Sequence, residues 1–349
     1  MRQTIGFVTT RDARVAYSTF GSGPPVLCDT GWISHLEVMW RGDAYRRFFE
    51  RLAETHTVIR YDKPGTGLSD RVRTDFTIEP EVRAVEAVVE ELALRQLSFI
   101  GMSQGGAVAA AFAARHPERV ERLVLYGTFA RGDALARPEI AAALVALVRA
   151  SWGMGSRTLA DTFIAGADAA TQEWFADAQR DAASAEMAAQ LLSSIYATDV
   201  SADLARIRAP TLVLHREDDQ AIRFACGREV AACVPGAVFR PLPGRAHIAY
   251  VADAEPILDE ILAFLAAGAP ATDPLTVREA EVAVLVAGGH TNAEIATRLG
   301  LAPKTVDAHV EHIRNKLGVR SRAQIGVWVT ERGLATGVRP SSRPPSRGG

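Results

Sequence analysis

The chain has 349 residues, 48% hydrophobic and 23% charged, with 39 Lys+Arg against 41 Asp+Glu, a formal net charge of −2, and 3 cysteines. Ordinary apolar content excludes an intrinsically disordered chain, and scarce cysteine excludes a disulfide-stapled secreted module. At roughly 100 to 200 residues per domain, the length implies about two domains.

Near-neutrality is an average of opposites. Residues 275–349 carry 11 Lys+Arg and 6 Asp+Glu, or +5, which leaves 28 and 35, or −7, for residues 1–274. A basic minority segment beside an acidic majority directs attention to phosphate binding by the smaller piece. No basic segment followed by an apolar run opens the chain, and no run of about eighteen uncharged apolar residues occurs, so a cytoplasmic protein without a membrane span is expected. Cys28, Cys226 and Cys233 are isolated and lack zinc spacing, which reads as buried reduced thiols.

In chain order, short apolar runs alternate with helical ones up to residue 267, the pattern of a mostly parallel α/β sheet. Strands are expected at Thr4 to Thr10, Arg14 to Phe20, Val26 to Asp29, Thr57 to Tyr61, Leu97 to Gly101, Val120 to Tyr126, Thr211 to His215 and Val238 to Leu242. Between the sixth and seventh, residues 131–205 are Ala-rich and helix-prone, and read as a helical cap. Its Trp152, Met154, Phe163, Trp174, Phe175 and Met187 suit either a substrate cavity or simple packing of the cap on the sheet. Residues 268–274, with two prolines, mark a linker. A purely helical period follows over 275–335, with helices at Thr276 to Ala287, Thr291 to Leu299, Pro303 to Leu317 and Ser321 to Glu331. The Arg/Pro/Ser/Gly-rich stretch 336–349 reads as a disordered tail.

Gly101-Met102-Ser103-Gln104-Gly105 follows an apolar strand and precedes the Ala-rich helix Ala107 to Arg115, the context of a nucleophile elbow. Small residues are needed where a strand reverses tightly into a helix, and Ser103 then projects from the turn. The Gln104 amide, at the helix N-terminus, is placed to donate to a developing oxyanion. A serine hydroxyl needs a base, and His247 follows the last expected strand, while Asp219 and its neighbour Asp218 follow the seventh. The order Ser, Asp, His fits this arrangement.

Together these residues resemble the α/β-hydrolase family over about residues 5–267. Asp29-Thr30-Gly31-Trp32 lies where the family places its second oxyanion amide, which implies the Trp32 N–H. Asp62 to Asp70 is similar to the family's D-x-x-G-x-G-x-S loop, with a structural role. The family's usual acid lies four residues after a histidine such as His215, which favours Asp219 over Asp218. His35 could line the pocket or pack at the surface, whereas His56, His116 and His215 read as structural.

In the helix Pro303 to Leu317, Val306, Val310, Ile313 and Leu317 share one face, while Lys304, Ala308, Glu311 and Asn315 share the other. Thr291 and Glu294 have capping-box spacing, and Gly300 to Pro303 is a turn of helix-turn-helix length. With Leu275 to Val282, Gly289 to Ala296, Lys304 to Val319 and Ser321-Arg322, this region closely resembles the DNA-binding domain of LuxR-type response regulators. Carried over by position, Pro303 to Lys316 is the recognition helix. Lys304, Thr305, Asp307, Ala308 and Glu311 then face the major groove, and Arg314, Lys316 and Arg320 neutralise phosphates. Asp307 and Glu311 depart from the basic residues of many relatives; carboxylates can accept from cytosine N4 but repel phosphate, so affinity is expected to lean on dimerisation. The last helix implies Ile325, Trp328 and Val329 at a homodimer interface. His309 and His312 lack a third ligand, and neither a metal nor a cofactor is implied.

The combined expectation is a transcription regulator that binds double-stranded DNA and whose hydrolase-like domain binds and hydrolyses a small ester, thioester, lactone or amide. Two alternatives remain open: a non-catalytic receptor on the same fold, or a metabolic serine esterase with a vestigial DNA-binding domain. Substrate, operator and direction of regulation are not readable from the residues.

Overall fold

In the computed structural model, which describes residues 1–267, 275, 277–317, 319 and 321–331, eight strands form one sheet in the order β1-β2-β4-β3-β5-β6-β7-β8. They are β1 (Thr4–Thr9), β2 (Arg14–Gly21), β3 (Pro25–Asp29), β4 (Thr57–Tyr61), β5 (Leu97–Met102), β6 (Val120–Tyr126), β7 (Thr211–Arg216) and β8 (Val238–Leu242). The first two pairings are antiparallel and the others parallel. All eight expected strands are present, with ends displaced by at most one residue. β5 runs one residue further than expected, to Met102, whose register partner on β6 is Tyr126.

Helices α1 (Asp43–Leu52), α2 (Glu79–Glu91) and α3 (Gln104–Arg115) connect the first six strands. A cap of α4 (Pro138–Ala150), α5 (Trp152–Phe163), α6 (Ala169–Ala182), α7 (Ala185–Ala197) and the single turn α8 (Ser201–Leu204) follows β6, with no named strand inside it. Helices α9 (Phe224–Cys233) and α10 (Glu255–Ala266) flank β8. β5 is buried at every position, as a central parallel strand covered on both faces must be. One apolar cluster joins α2, α3 and α9 to one face, and a second joins α1 and α10 to the other.

This topology positions the site. β3 pairs with β4 on one side and β5 on the other, so the chain switches direction at β3 and leaves a crevice beyond the carboxyl ends of β3 and β5. Asp29, the last residue of β3, lies in register with Gly101 of β5.

The chain divides into two compact units, Met1–Ala267 and Gly268–Gly349; the expected linker 268–274 and tail 336–349 lie outside the described residues. The second unit contains α11 (Val277–Ala287), α12 (Asn292–Leu299), α13 (Pro303–Leu317) and α14 (Arg322–Glu331). Its core is built on Val282, Val286, Ile295, Val306, Ile313, Ile325 and Val329. Among the described residues, no helix is long and apolar enough to cross a membrane.

Candidate active site and candidate nucleic-acid interface

Ser103 sits between β5 and α3 with φ 54° and ψ −129°, a left-handed backbone that L-residues adopt only when the surroundings impose it. The surroundings are the glycines of the motif. A Cβ on Gly101 would lie 2.6 Å from the Gly105 carbonyl oxygen, one on Gly105 2.4 Å from Asp29 Oδ1, and one on Gly106 2.4 Å from Thr128 Oγ1. The Ser103 amide donates to the Tyr126 carbonyl at 2.9 Å, and the Thr128 hydroxyl donates to the Ser103 carbonyl at 2.6 Å. Gln104 opens α3, so its amide is among those with no intrahelical acceptor. Gly31, at φ 133°, brings the loop after β3 against the elbow: a Cβ there would stand 3.9 Å from Ser103 Cβ. Trp32 follows it and is buried.

His247 and Asp219 meet beyond β7 and β8, with Nδ1 2.8 Å from Asp219 Oδ2. The other carboxylate oxygen accepts from the amides of Ala221 (2.8 Å) and Ile222 (3.0 Å). Burial pushes the Asp219 carboxyl up, but the neighbouring His247 charge and these hydrogen bonds outweigh it and hold the pKa below the ordinary value. An anionic Asp219 favours the imidazole tautomer with its proton on Nδ1, which turns Nε2 to the accepting role. Asp218 is exposed and does not meet His247. Ser103, His247 and Trp32 line the same two cavities.

Three groups support this site: His215, expected to be structural, and two that the residues did not foretell, Arg216 and Lys63. His215 is fully buried under the acid, with Nε2 2.8 Å from the Ile222 carbonyl and 3.6 Å from Asp219 Oδ2. Arg216, also buried, donates to the carbonyls of Ala246 (2.8 Å), Val251 (3.2 Å) and Asp253 (2.8 Å) and so clamps the loop that carries His247. Lys63, in the loop after β4, is 1% exposed; its ammonium donates to Asp29 Oδ2 (2.8 Å), Glu81 Oε2 (2.6 Å) and Gln104 Oε1 (2.8 Å). Arg73 completes the set by donating to Glu81 Oε1 at 2.8 Å. Burial alone would raise the Glu81 carboxyl; Lys63 and Arg73 hold it at about 2. A lysine in a loop reads as solvated, and only the fold could bring it beneath Gln104.

Elsewhere in the same loop, Asp62 Oδ2 accepts from the amides of Leu36 (3.1 Å) and Leu68 (2.8 Å). His35 is buried beside this loop and lines neither cavity. Of the six large cap residues, Phe163 and Phe175 reach a cavity, whereas Met154 is 62% exposed and Trp152 donates to the Ala183 carbonyl. All three cysteines are free; Cys28 and Cys226 are buried, but Cys233, at the C-terminal end of α9, is only half-buried.

In the second unit, Thr291 and Glu294 form a reciprocal capping box at the start of α12, and Gly300 ends that helix at φ 66°. Along α13, Val306 and Ile313 are buried, while Lys304, Thr305, Asp307, Ala308, Glu311 and Arg314 are exposed. Asp307 Oδ1 accepts from Asn292 Nδ2 at 2.6 Å, and Asn292 Oδ1 in turn accepts from Arg322. The acidic departure therefore joins α13 to α12 and α14. Lys316, expected at phosphate, is committed to Glu279 on α11 at 2.6 Å, because the helix turns it toward that buried carboxylate. Arg320 lies outside the described residues.

Two of the expected dimer residues need correction: Ile325 and Val329 are each 0% exposed in the domain's own core, whereas Trp328 packs against that core and is only half-buried. Their spacing of four puts Ile325 and Val329 on the one face of α14 that covers the other helices. The large apolar residue left outward on α14 is Val327, at 56% exposure.

Comparison with known proteins agrees with both halves. Residues 26–260 match the model of the alpha/beta hydrolase family, and residues 273–329 match that of the bacterial regulatory proteins of the luxR family. An uncharacterized protein of Mycobacterium tuberculosis is 33% identical over 122 residues, 35% of this chain and only 34% of that protein's length. A non-heme haloperoxidase of Rhodococcus erythropolis is 26% identical over 277 residues, covering 74% of this chain and 98% of the enzyme. Among solved structures, a hydrolase from Pseudomonas aeruginosa PA01 superposes with a TM-score of 0.66 at 25% identity, covering 75% of this chain and 98% of that one. The chain thus belongs to the alpha/beta hydrolase family and carries a LuxR-type DNA-binding domain at its C-terminus.

Proposed function

We propose that this is a transcription regulator whose hydrolase domain cleaves a small ester, thioester, lactone or amide, and whose LuxR-type domain binds double-stranded DNA as a homodimer. The observation that carries the catalytic half is the 2.8 Å contact between a buried His247 and a buried Asp219, on a cavity that Ser103 also lines. Ser103 Oγ attacks the carbonyl carbon while its proton passes to His247 Nε2, and Asp219 stabilises the imidazolium. The amides of Gln104 and Trp32 hold the oxyanion. Collapse expels the leaving group, which takes the proton from His247; water, activated by the same histidine, then releases the acid. Lys304, Thr305, Asp307, Ala308 and Glu311 face the groove, with Asp307 held by Asn292.

The test pairs chemistry with DNA. Wild type is expected to turn over p-nitrophenyl acetate and to label with a fluorophosphonate, with both reduced about a thousandfold or more in Ser103→Ala. Labelling that survives that change would remove Ser103 as nucleophile. Wild type without turnover or labelling would leave a receptor. Duplex binding that is insensitive to salt would sink the regulator half.

A further inference from the structure

Among the described residues, two cavities that open onto Ser103 and His247 are very unequal. The larger, about 210 Å³, is roofed by α4, α5 and α7. The smaller, about 20 Å³, lies beside the Thr30 to Trp32 loop. Ser103, His247, Trp32 and Phe163 line both. The rings of Trp32 and Phe163 stand edge to face at 6.3 Å, and the Phe163 carbonyl accepts from the amides of His247 (2.7 Å) and Ile248 (3.1 Å). The partition is therefore anchored to the histidine's own loop, and the hydroxyl and imidazole sit where the two spaces join.

Size and charge limit what can occupy each space. A dry apolar cavity of about 150 Å³ takes a benzene ring, so the larger one holds an apolar group of roughly six to eight carbons. No Asp, Glu, Lys or Arg is among the described residues lining either cavity. A charge entering the larger cavity would lose its water without gaining a partner. Its polar groups are neutral and partly committed: the Thr162 hydroxyl donates to the Thr158 carbonyl, and the Gln220 amide to the Asp218 carbonyl. Burial pushes the Tyr196 phenol above its ordinary pKa, which keeps it protonated. The smaller cavity barely exceeds the ~10 to 15 Å³ that one water needs. Gln179, 4% exposed, lines it, and its side-chain oxygen has no hydrogen-bond partner. That space suits a group of about one or two heavy atoms and not a hydrocarbon chain.

We propose that the substrate is an uncharged carbonyl compound with two unequal arms, an apolar one of about six to eight carbons in the larger cavity and one no bigger than methyl or methoxy in the smaller. This rests on the hydrolase reading above and adds the substrate class to it.

Matched esters test it in the full-length protein by pH-stat. Methyl hexanoate and hexyl acetate each carry one long arm, hexyl hexanoate carries two, and monomethyl adipate places a carboxylate at the end of the long arm. At least one of the first pair is expected to show kcat/KM about tenfold or more above both of the others. Leu144→Trp, which fills the larger cavity from α4, is expected to lower kcat/KM for the preferred ester of the first pair about tenfold relative to methyl acetate, and Ile195→Ala to raise the ratio for the homologue of that ester with an eight-carbon long arm over the six-carbon one. Melting curves by circular dichroism establish that each variant folds. Efficient cleavage of hexyl hexanoate or monomethyl adipate, or folded variants with unaltered ratios, would overturn the two-armed substrate while leaving the hydrolase reading in place. Wild type that neither labels with fluorophosphonate nor cleaves any ester overturns the hydrolase reading itself.

Discussion

Asp62 shows how a single buried group makes stability depend on pH. Burial pushes its carboxyl from an ordinary 3.8 up to about 6, against the pull of the Leu68 and Leu36 amides, and Oδ1 has no partner. Because the folded pKa lies above the unfolded one, the folded state binds the proton more tightly. The contribution is full below about pH 4 and is lost as pH rises through about 6. Asp62→Asn cannot ionise, so its stability relative to wild type is expected to rise by up to about 3 kcal/mol between pH 4 and 7 in urea titrations. A flat difference across that window would contradict the account. Ile325 tests the dimer correction at the same scale. Truncating this fully buried side chain to Ala should cost about 2–5 kcal/mol and melt the helical domain at any protein concentration, whereas an interface residue would make the loss concentration-dependent.

Between elements, the most consequential feature is the buried set of Lys63, Asp29, Glu81 and Arg73. It joins the end of β3, the loop after β4, α2 and the first residue of α3. Buried ion pairs are weak evidence for stability, since desolvation offsets most of their attraction. Their placement here is better explained by position: Asp29 precedes the Trp32 loop and Gln104 follows Ser103, so one ammonium braces both proposed oxyanion amides. Lys63→Met is expected to lower kcat about 10- to 100-fold with a smaller change in KM, and to weaken a boronic acid transition-state mimic in parallel with kcat/KM. Lys63→Arg should recover part of the loss if it reaches the same acceptors. Inhibition unchanged in a folded Lys63→Met protein would reduce the set to packing.

For the molecule as a whole, the charge split has a narrower origin than the totals suggest. Within residues 275–331 there are seven Lys+Arg and six Asp+Glu, so the +5 of the C-terminal segment rests mainly on Arg332, Arg339, Arg343 and Arg347. Lys316 is paired with Glu279 within the domain as well, and Asp307 accepts from the uncharged Asn292 amide. The helix-turn-helix thus offers shape and hydrogen bonding with little net charge. Removing residues 336–349 is expected to weaken duplex binding and to flatten the dependence of log K on log salt by about 3, read by fluorescence anisotropy between about 50 and 200 mM salt. An unchanged slope would mean that these arginines stay off the phosphates.

The eight strands, the elbow glycines, the capped α12 and the apolar stripe of α13 were all legible in the residues, because each is a local rule: alternation, steric room at a turn, an N-cap, a helical period. The choice of Asp219 over Asp218 was only favoured by spacing; the exposure of one and the 2.8 Å contact of the other are three-dimensional facts. What the residues could not disclose were partnerships between distant segments. Lys63 lies 41 residues from Gln104, and Arg216 lies 30 from Ala246. Ile325 and Val329 were placed at an interface by the family resemblance of the last helix, and only the packed domain shows both side chains fully buried in its own core. Local periodicity determined the elements and the positions of the reactive groups; burial, and with it the ion pairs and the unequal cavities, was decided only when the sheet and cap closed over them.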